Sequence, residues 1–121
     1  MIGYTTVGTR DLAKASAFFD TVLAPLGGQG NTFGERMRFY GGGGGASLAV
    51  CTPWDGQPAT VGNGMMVGLA APSVEAVDKV HALALSSGGS DEGAPGERMP
   101  GIYGAYFRDL DGNKFAIIHR G

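Results

Sequence analysis

The chain reads as an α+β fold: two βαβββ repeats forming a curved mixed β-sheet around a cavity, with helices outside. Three observations predict it. Short β-branched and aromatic runs alternate with two segments of helical periodicity. The pattern repeats at an offset of about 62 residues, growing to about 67 after the loops. Glycine makes up 23 of the 121 residues, far above the usual share of roughly 7%, and pairs of glycines fall at matching places in the two halves.

The elements follow in order. IGYTTVG (2–8) is a strand. A helix then begins with Thr9 or Asp11 as N-cap and carries Leu12, Ala15, Phe18, Phe19, Val22 and Leu23 on one face. Pro25 and Gly27-Gly28 end it. ERMRFY (35–40) and ASLAVCT (46–52) are strands around a GGGGG loop (41–45), and 53–64 is a turn-rich connection. The second half restarts with a strand at MMVGLAA (65–71). Ser73 caps a helix carrying Val74, Val77, Val80, His81, Ala84 and Leu85, and Gly88-Gly89 ends it. Residues 90–101 read as loop with room for a short strand. IYGAYFRD (102–109) and NKFAIIHR (113–120) are strands joined by a tight LDG hairpin. Each half is thus a strand, a helix, then two or three strands. One domain spans 1–121, with repeat one at about 1–53, a linker at about 54–63 and repeat two at about 64–121.

Composition excludes several classes. The glycines have no three-residue period, so the chain is not collagen-like. Apolar residues are plentiful and the net charge is only −2, which argues against disorder. No apolar run approaches the roughly 20 residues that span a bilayer. No basic cluster marks a nucleic-acid surface. Cys51 is alone and no signal peptide is visible, so the expected location is the cytoplasm.

Three strings carry a family likeness: GYTTVGTRDLAKASAFFDTVLAPLG (3–27), MMVGLAAPSVEAVDKVHALALSSGG (65–89) and YGAYFRDLDGNKFAIIHR (103–120). With the repeat, they resemble the vicinal oxygen chelate superfamily of glyoxalase I, bleomycin- and fosfomycin-resistance proteins and extradiol dioxygenases. The RDLDGNK hairpin is the most specific part. The resemblance implies the glyoxalase/bleomycin resistance fold and a homodimer. It also implies a divalent metal held by four inward positions, two from each half, which acts as a Lewis acid on a substrate offering two adjacent oxygens. Those positions correspond to Tyr4, Ala49, Met66 and Ala116. Alanine has no donor, a thioether is soft, and a phenol must ionise to ligate. The expectation is therefore no metal and no cofactor.

If Tyr4, Ala49, Met66 and Ala116 face inward, alternation adds Thr6, Cys51, Gly68 and Ile118 to the wall. The likeness to fosfomycin-resistance proteins adds Tyr106, with Gly104 on its face. Trp54 stands after a strand, as a lid aromatic over a ligand or as a plug for a loop cluster. Arg38 inward would anchor an anion; Arg38 outward is a surface charge, and its parity stays open. The cavity candidates are therefore Tyr4, Thr6, Arg38, Cys51, Trp54, Met66, Tyr106 and Ile118. No catalytic residue stands out. His81 reads as a helix-side residue, His119 as facing the helix layer, and Cys51 as a small buried side chain with no base beside it in the sequence. DLDG lacks the spacing of a calcium loop and is a hairpin turn. The GGGGG run lacks a following Lys-Ser/Thr and is a rim loop.

Such a wall stacks and buries flat or apolar ligands better than it stabilises an oxyanion. The expected function is metal-free binding of a small organic molecule, with neither nucleic acid nor membrane as partner. One alternative is a superfamily enzyme, glutathione-linked like glyoxalase I or using an unorthodox site around Tyr4, Cys51 and Tyr106. Another is a degenerate homologue whose fold serves as an interaction module.

Overall fold

β-Branched and aromatic residues extend the chain where packing on both sides is available, and the first such run forms β1 (Tyr4–Gly8). Asp11 then caps helix α1 (Leu12–Val22), its carboxylate accepting the Lys14 N–H at 3.1 Å. A short 3-10 turn at Ala24–Leu26 continues the helix line and stops at Gly27, whose φ of +74° suits glycine. Then come β2 (Gln29–Phe33), β3 (Met37–Gly41) and β4 (Ser47–Cys51). The second half repeats the order: β5 (Val67–Ala70), α2 (Val74–Ser86), β6 (Ser90–Met99), β7 (Ile102–Arg108) and β8 (Lys114–Arg120). Ser73 caps α2 by accepting the Ala76 N–H at 3.1 Å. The computed structural model describes residues 1–41 and 44–121, so the expected GGGGG loop lies partly outside the described residues.

The repeat is exact in topology. One four-stranded sheet runs β1-β4-β3-β2 and the other β5-β8-β7-β6. In each, the first and last strands of the half pair in parallel and the other pairs are antiparallel. The sheets do not close into a barrel.

Two strands depart from the sequence expectation. β2 (QGNTF) has no apolar run, and the sequence of β6 (SDEGAPGERM) reads as loop with at most a short strand. Both are the outermost strands of their sheets. Their extended form comes from backbone bonding to β3 and β7 rather than from their own side chains. β6 also carries three register shifts, between Asp91 and Gly93, Gly93 and Gly96, and Glu97 and Met99, which blunt its regularity as an edge.

One core joins the halves. Phe18 and Phe19 of α1 reach across to the second sheet: Phe19 lies 5.4 Å from Phe115, ring to ring, and Phe18 6.5 Å from Phe107. Phe107 and Phe115 stack at 5.4 Å. Val77, Val80 and Ala84 of α2 are wholly buried in the same cluster. The helices therefore cover one face of each sheet. The RDLDGN turn fastens the halves together. Asn113 donates from its amide to the Gly8 carbonyl at 2.8 Å and to Asp109 at 2.9 Å, and Asp111 accepts the Arg10 N–H. Burial raises the Asp109 carboxyl above its ordinary range, against three stabilising hydrogen bonds from Asn113 and Asp111.

Candidate functional site

Strand alternation sorts each sheet into a helix-covered face and an open one. In β1, Val7 is buried against the helices while Tyr4 and Thr6 are exposed. The ladder places Ala49 beside Thr6 and Phe39, and Cys51 beside Gly8 and Met37. Tyr4, Thr6, Ala49 and Cys51 therefore share the open face of the first sheet, the side on which sequence alternation groups them. Its centre is aromatic: Phe39 meets Tyr4 edge-on at 5.4 Å and Phe33 at 6.0 Å. Tyr4 is 57% and Phe33 70% exposed. Phe33 and Phe39 escaped the sequence reading because β2 had no strand signature and the parity of β3 was open.

Arg38 settles that parity. It lies on the helix-covered face, donating from Nε to Asp20 of α1 at 3.0 Å and from Nη1 to Thr32. Its neighbour Tyr40 is buried on the same face and donates to Asp20 at 2.7 Å. Burial and the Asp20 bond push the Tyr40 phenol up to about 12. Arg38 thus ties β3 to α1 instead of reaching the open face. Trp54 is 88% exposed, with the Arg36 guanidinium 5.0 Å from its ring centre.

The second sheet's open face follows from its register. Tyr106 and Gly68 flank Ala116, and Gly104 and Ala70 flank Ile118. A Cβ at Gly104 would overlap Ile118, so the glycine makes room for that side chain. Met66 immediately precedes β5, two residues before Gly68, and is half exposed. Two cations unnoticed in the sequence surround Tyr106: the Arg98 guanidinium lies 5.2 Å and the Lys114 ammonium 5.6 Å from its ring. Arg98 lies on the irregular strand β6, where no alternation could assign its side. The histidines are elsewhere. His81 is buried on α2 with Nε2 2.9 Å from Asp91, and His119 bonds the Ala71 carbonyl through Nδ1.

The superfamily's metal positions can now be tested. Tyr4 and Ala49 sit on one open face, Ala116 on the other, and Met66 beside it. Two of the four have no donor atom, so this set does not fit the divalent metal. Among the described residues, no group of three or more His, Cys, Asp or Glu side chains gathers elsewhere in a metal-holding cluster.

Paired βαβββ modules with open sheet faces define a glyoxalase-type scaffold. The model of the glyoxalase/bleomycin resistance protein/dioxygenase superfamily matches residues 1–117, and the chain belongs to that superfamily. It is 38% identical to a glyoxalase/bleomycin resistance protein from Albidiferax ferrireducens T118, over 100% of this chain and 99% of that one, with a TM-score of 0.93. Two further structures share the fold. One is a superfamily enzyme from Burkholderia phytofirmans PsJN, at 22% identity over 98% of each chain and a TM-score of 0.76. The other is a lactoylglutathione lyase from Agrobacterium tumefaciens, at 21% identity over 98% of this chain and 92% of that one, with a TM-score of 0.69. No curated protein sequence matches the chain.

Proposed function

We propose that the protein binds a small, partly aromatic organic molecule without a metal, between open sheet faces brought together in a homodimer. The observation that carries this is the content of those faces. Where superfamily ligands would stand, Tyr4 and Met66 present aromatic and thioether surface, while Ala49 and Ala116 are buried small residues without a donor. Phe39 and Phe33 extend it on one sheet, and Gly68 leaves open space on the other, since a Cβ there would meet nothing within 4 Å. Aromatic and thioether surface favours flat apolar ligands by stacking and burial. Both imidazoles are committed to the helix-covered side, which favours binding over proton-transfer chemistry.

The test is thermal denaturation of untagged protein with a panel of small aromatic compounds, before and after EDTA treatment. The expected result is stabilisation by some panel members, unchanged by EDTA, with no stoichiometric transition metal by elemental analysis. Stoichiometric zinc, nickel, manganese or iron would overturn the metal-free reading. So would turnover of the methylglyoxal–glutathione hemithioacetal that EDTA abolishes.

A further inference from the structure

The two open faces differ in charge as well as shape. The first face has an aromatic centre in Tyr4, Phe33 and Phe39, and no Lys, Arg, Asp or Glu lies at its strand positions. The second is cationic around Tyr106. Lys114 and Arg98 both lie within 6 Å of the ring. Among the described residues neither forms a salt bridge; Arg98 donates to the Ala94 carbonyl, while the neighbouring Arg108 is neutralised by Glu92. Lys114 and Arg108 also open onto a cleft of about 620 Å³ beside Met65 and Met66. Glu92 feels Lys114 as well as Arg108, so one carboxylate faces two of the three cations here. The excess positive charge beside apolar surface is poised to pair with a ligand's charge.

We infer that the ligand is an organic anion, an aromatic body carrying one acidic group such as a carboxylate. Its acidic group pairs with Lys114 and Arg98 beside Tyr106, and its ring lies against the first sheet's aromatic cluster. Gly68, exposed on the strand beside Ala116, lets a ligand approach the backbone closely. Charge and apolar surface then act on opposite ends of one molecule, which gives orientation without a metal. The inference rests on the metal-free cavity proposed above, in which the homodimer brings the two open faces together.

Two dyes that share an aromatic skeleton separate the ideas: anilinonaphthalene sulfonate, which is anionic, and N-phenylnaphthylamine, which is neutral. Fluorescence titration of the full chain is expected to give about tenfold tighter binding of the sulfonate, the usual contribution of one charged hydrogen bond. Lys114→Gln combined with Arg98→Gln abolishes that preference, the sulfonate losing about tenfold more affinity than the neutral dye. Lys79→Gln, which removes one charge from the exposed side of α2, preserves it. Equal binding of both dyes to the unaltered protein overturns the anion inference and leaves the cavity standing. A preference that survives the double substitution overturns the assignment to Lys114 and Arg98. If neither dye binds, the cavity itself fails, and the inference with it.

Discussion

At the residue scale, Tyr40 shows how a polar group inside the fold is held. Its hydroxyl faces Asp20 and the Ser16 carbonyl, and Arg38 donates to it at 3.1 Å. Burial first, and the Asp20 bond second, favour the neutral phenol, so the folded value of about 12 lies above the ordinary 10.0. A raised folded value means the proton's contribution to stability is complete below about 10 and disappears as pH climbs through about 12. In an ultraviolet absorbance titration of tyrosinate, Tyr40 is expected to be the last tyrosine to ionise. Tyr40→Phe removes that late step and lowers stability at neutral pH by about 1 kcal/mol, the net worth of one such hydrogen bond. If all the tyrosines of the unaltered protein ionise together near the ordinary value, the burial of Tyr40 and its bond to Asp20 are wrong.

At the scale of elements, the glycine pairs that end the helices have distinct jobs. Gly88 takes a φ of +103°, a left-handed turn off α2. Gly89 has ordinary φ but no room: a Cβ would stand 2.6 Å from the Arg108 carbonyl oxygen and 2.8 Å from that of Ala84. Both neighbours are backbone and cannot rotate away. Gly89→Ala is expected to cost about 1–3 kcal/mol, read as a lower denaturant midpoint, because overpacking forces the helix end off the sheet. Gly45→Ala, where a Cβ meets nothing within 4 Å, serves as the neutral comparison. Equal midpoints for the two variants would show that α2 does not pack as closely on β7 as the structure places it.

At the scale of the whole molecule, the core lies among the helices, and the open sheet faces expose Tyr4, Phe33 and Met66. Exposed aromatic surface of this kind is disfavoured in an isolated chain and marks a contact surface. The expected solution state is a homodimer by light scattering or sedimentation, with open faces covering one another. Phe33→Asp places an unpaired charge on that surface and is expected to shift the mass toward one chain while circular dichroism stays unchanged. A monomeric mass for the unaltered protein would reject the dimer.

The sequence by itself determined the two halves, both helices with their stripes, and the strands β1, β3, β4, β5, β7 and β8. Periodicity and capping are local properties, so Asp11, Ser73 and the paired glycines announce themselves without help from the rest of the chain. The grouping of Tyr4, Thr6, Ala49 and Cys51 was equally legible, because alternation along paired strands is strict. Tertiary structure alone decided β2 and β6, whose extended form is imposed by a neighbouring strand. It also decided the side taken by Arg38, which follows from Asp20 on a helix packed across β3. Lys114 shares the face of Ala116 by plain alternation on β8, but the approach of Arg98 to Tyr106 depends on the bulged register of β6, and a bulge shifts side chains between faces without leaving a periodic trace in the sequence.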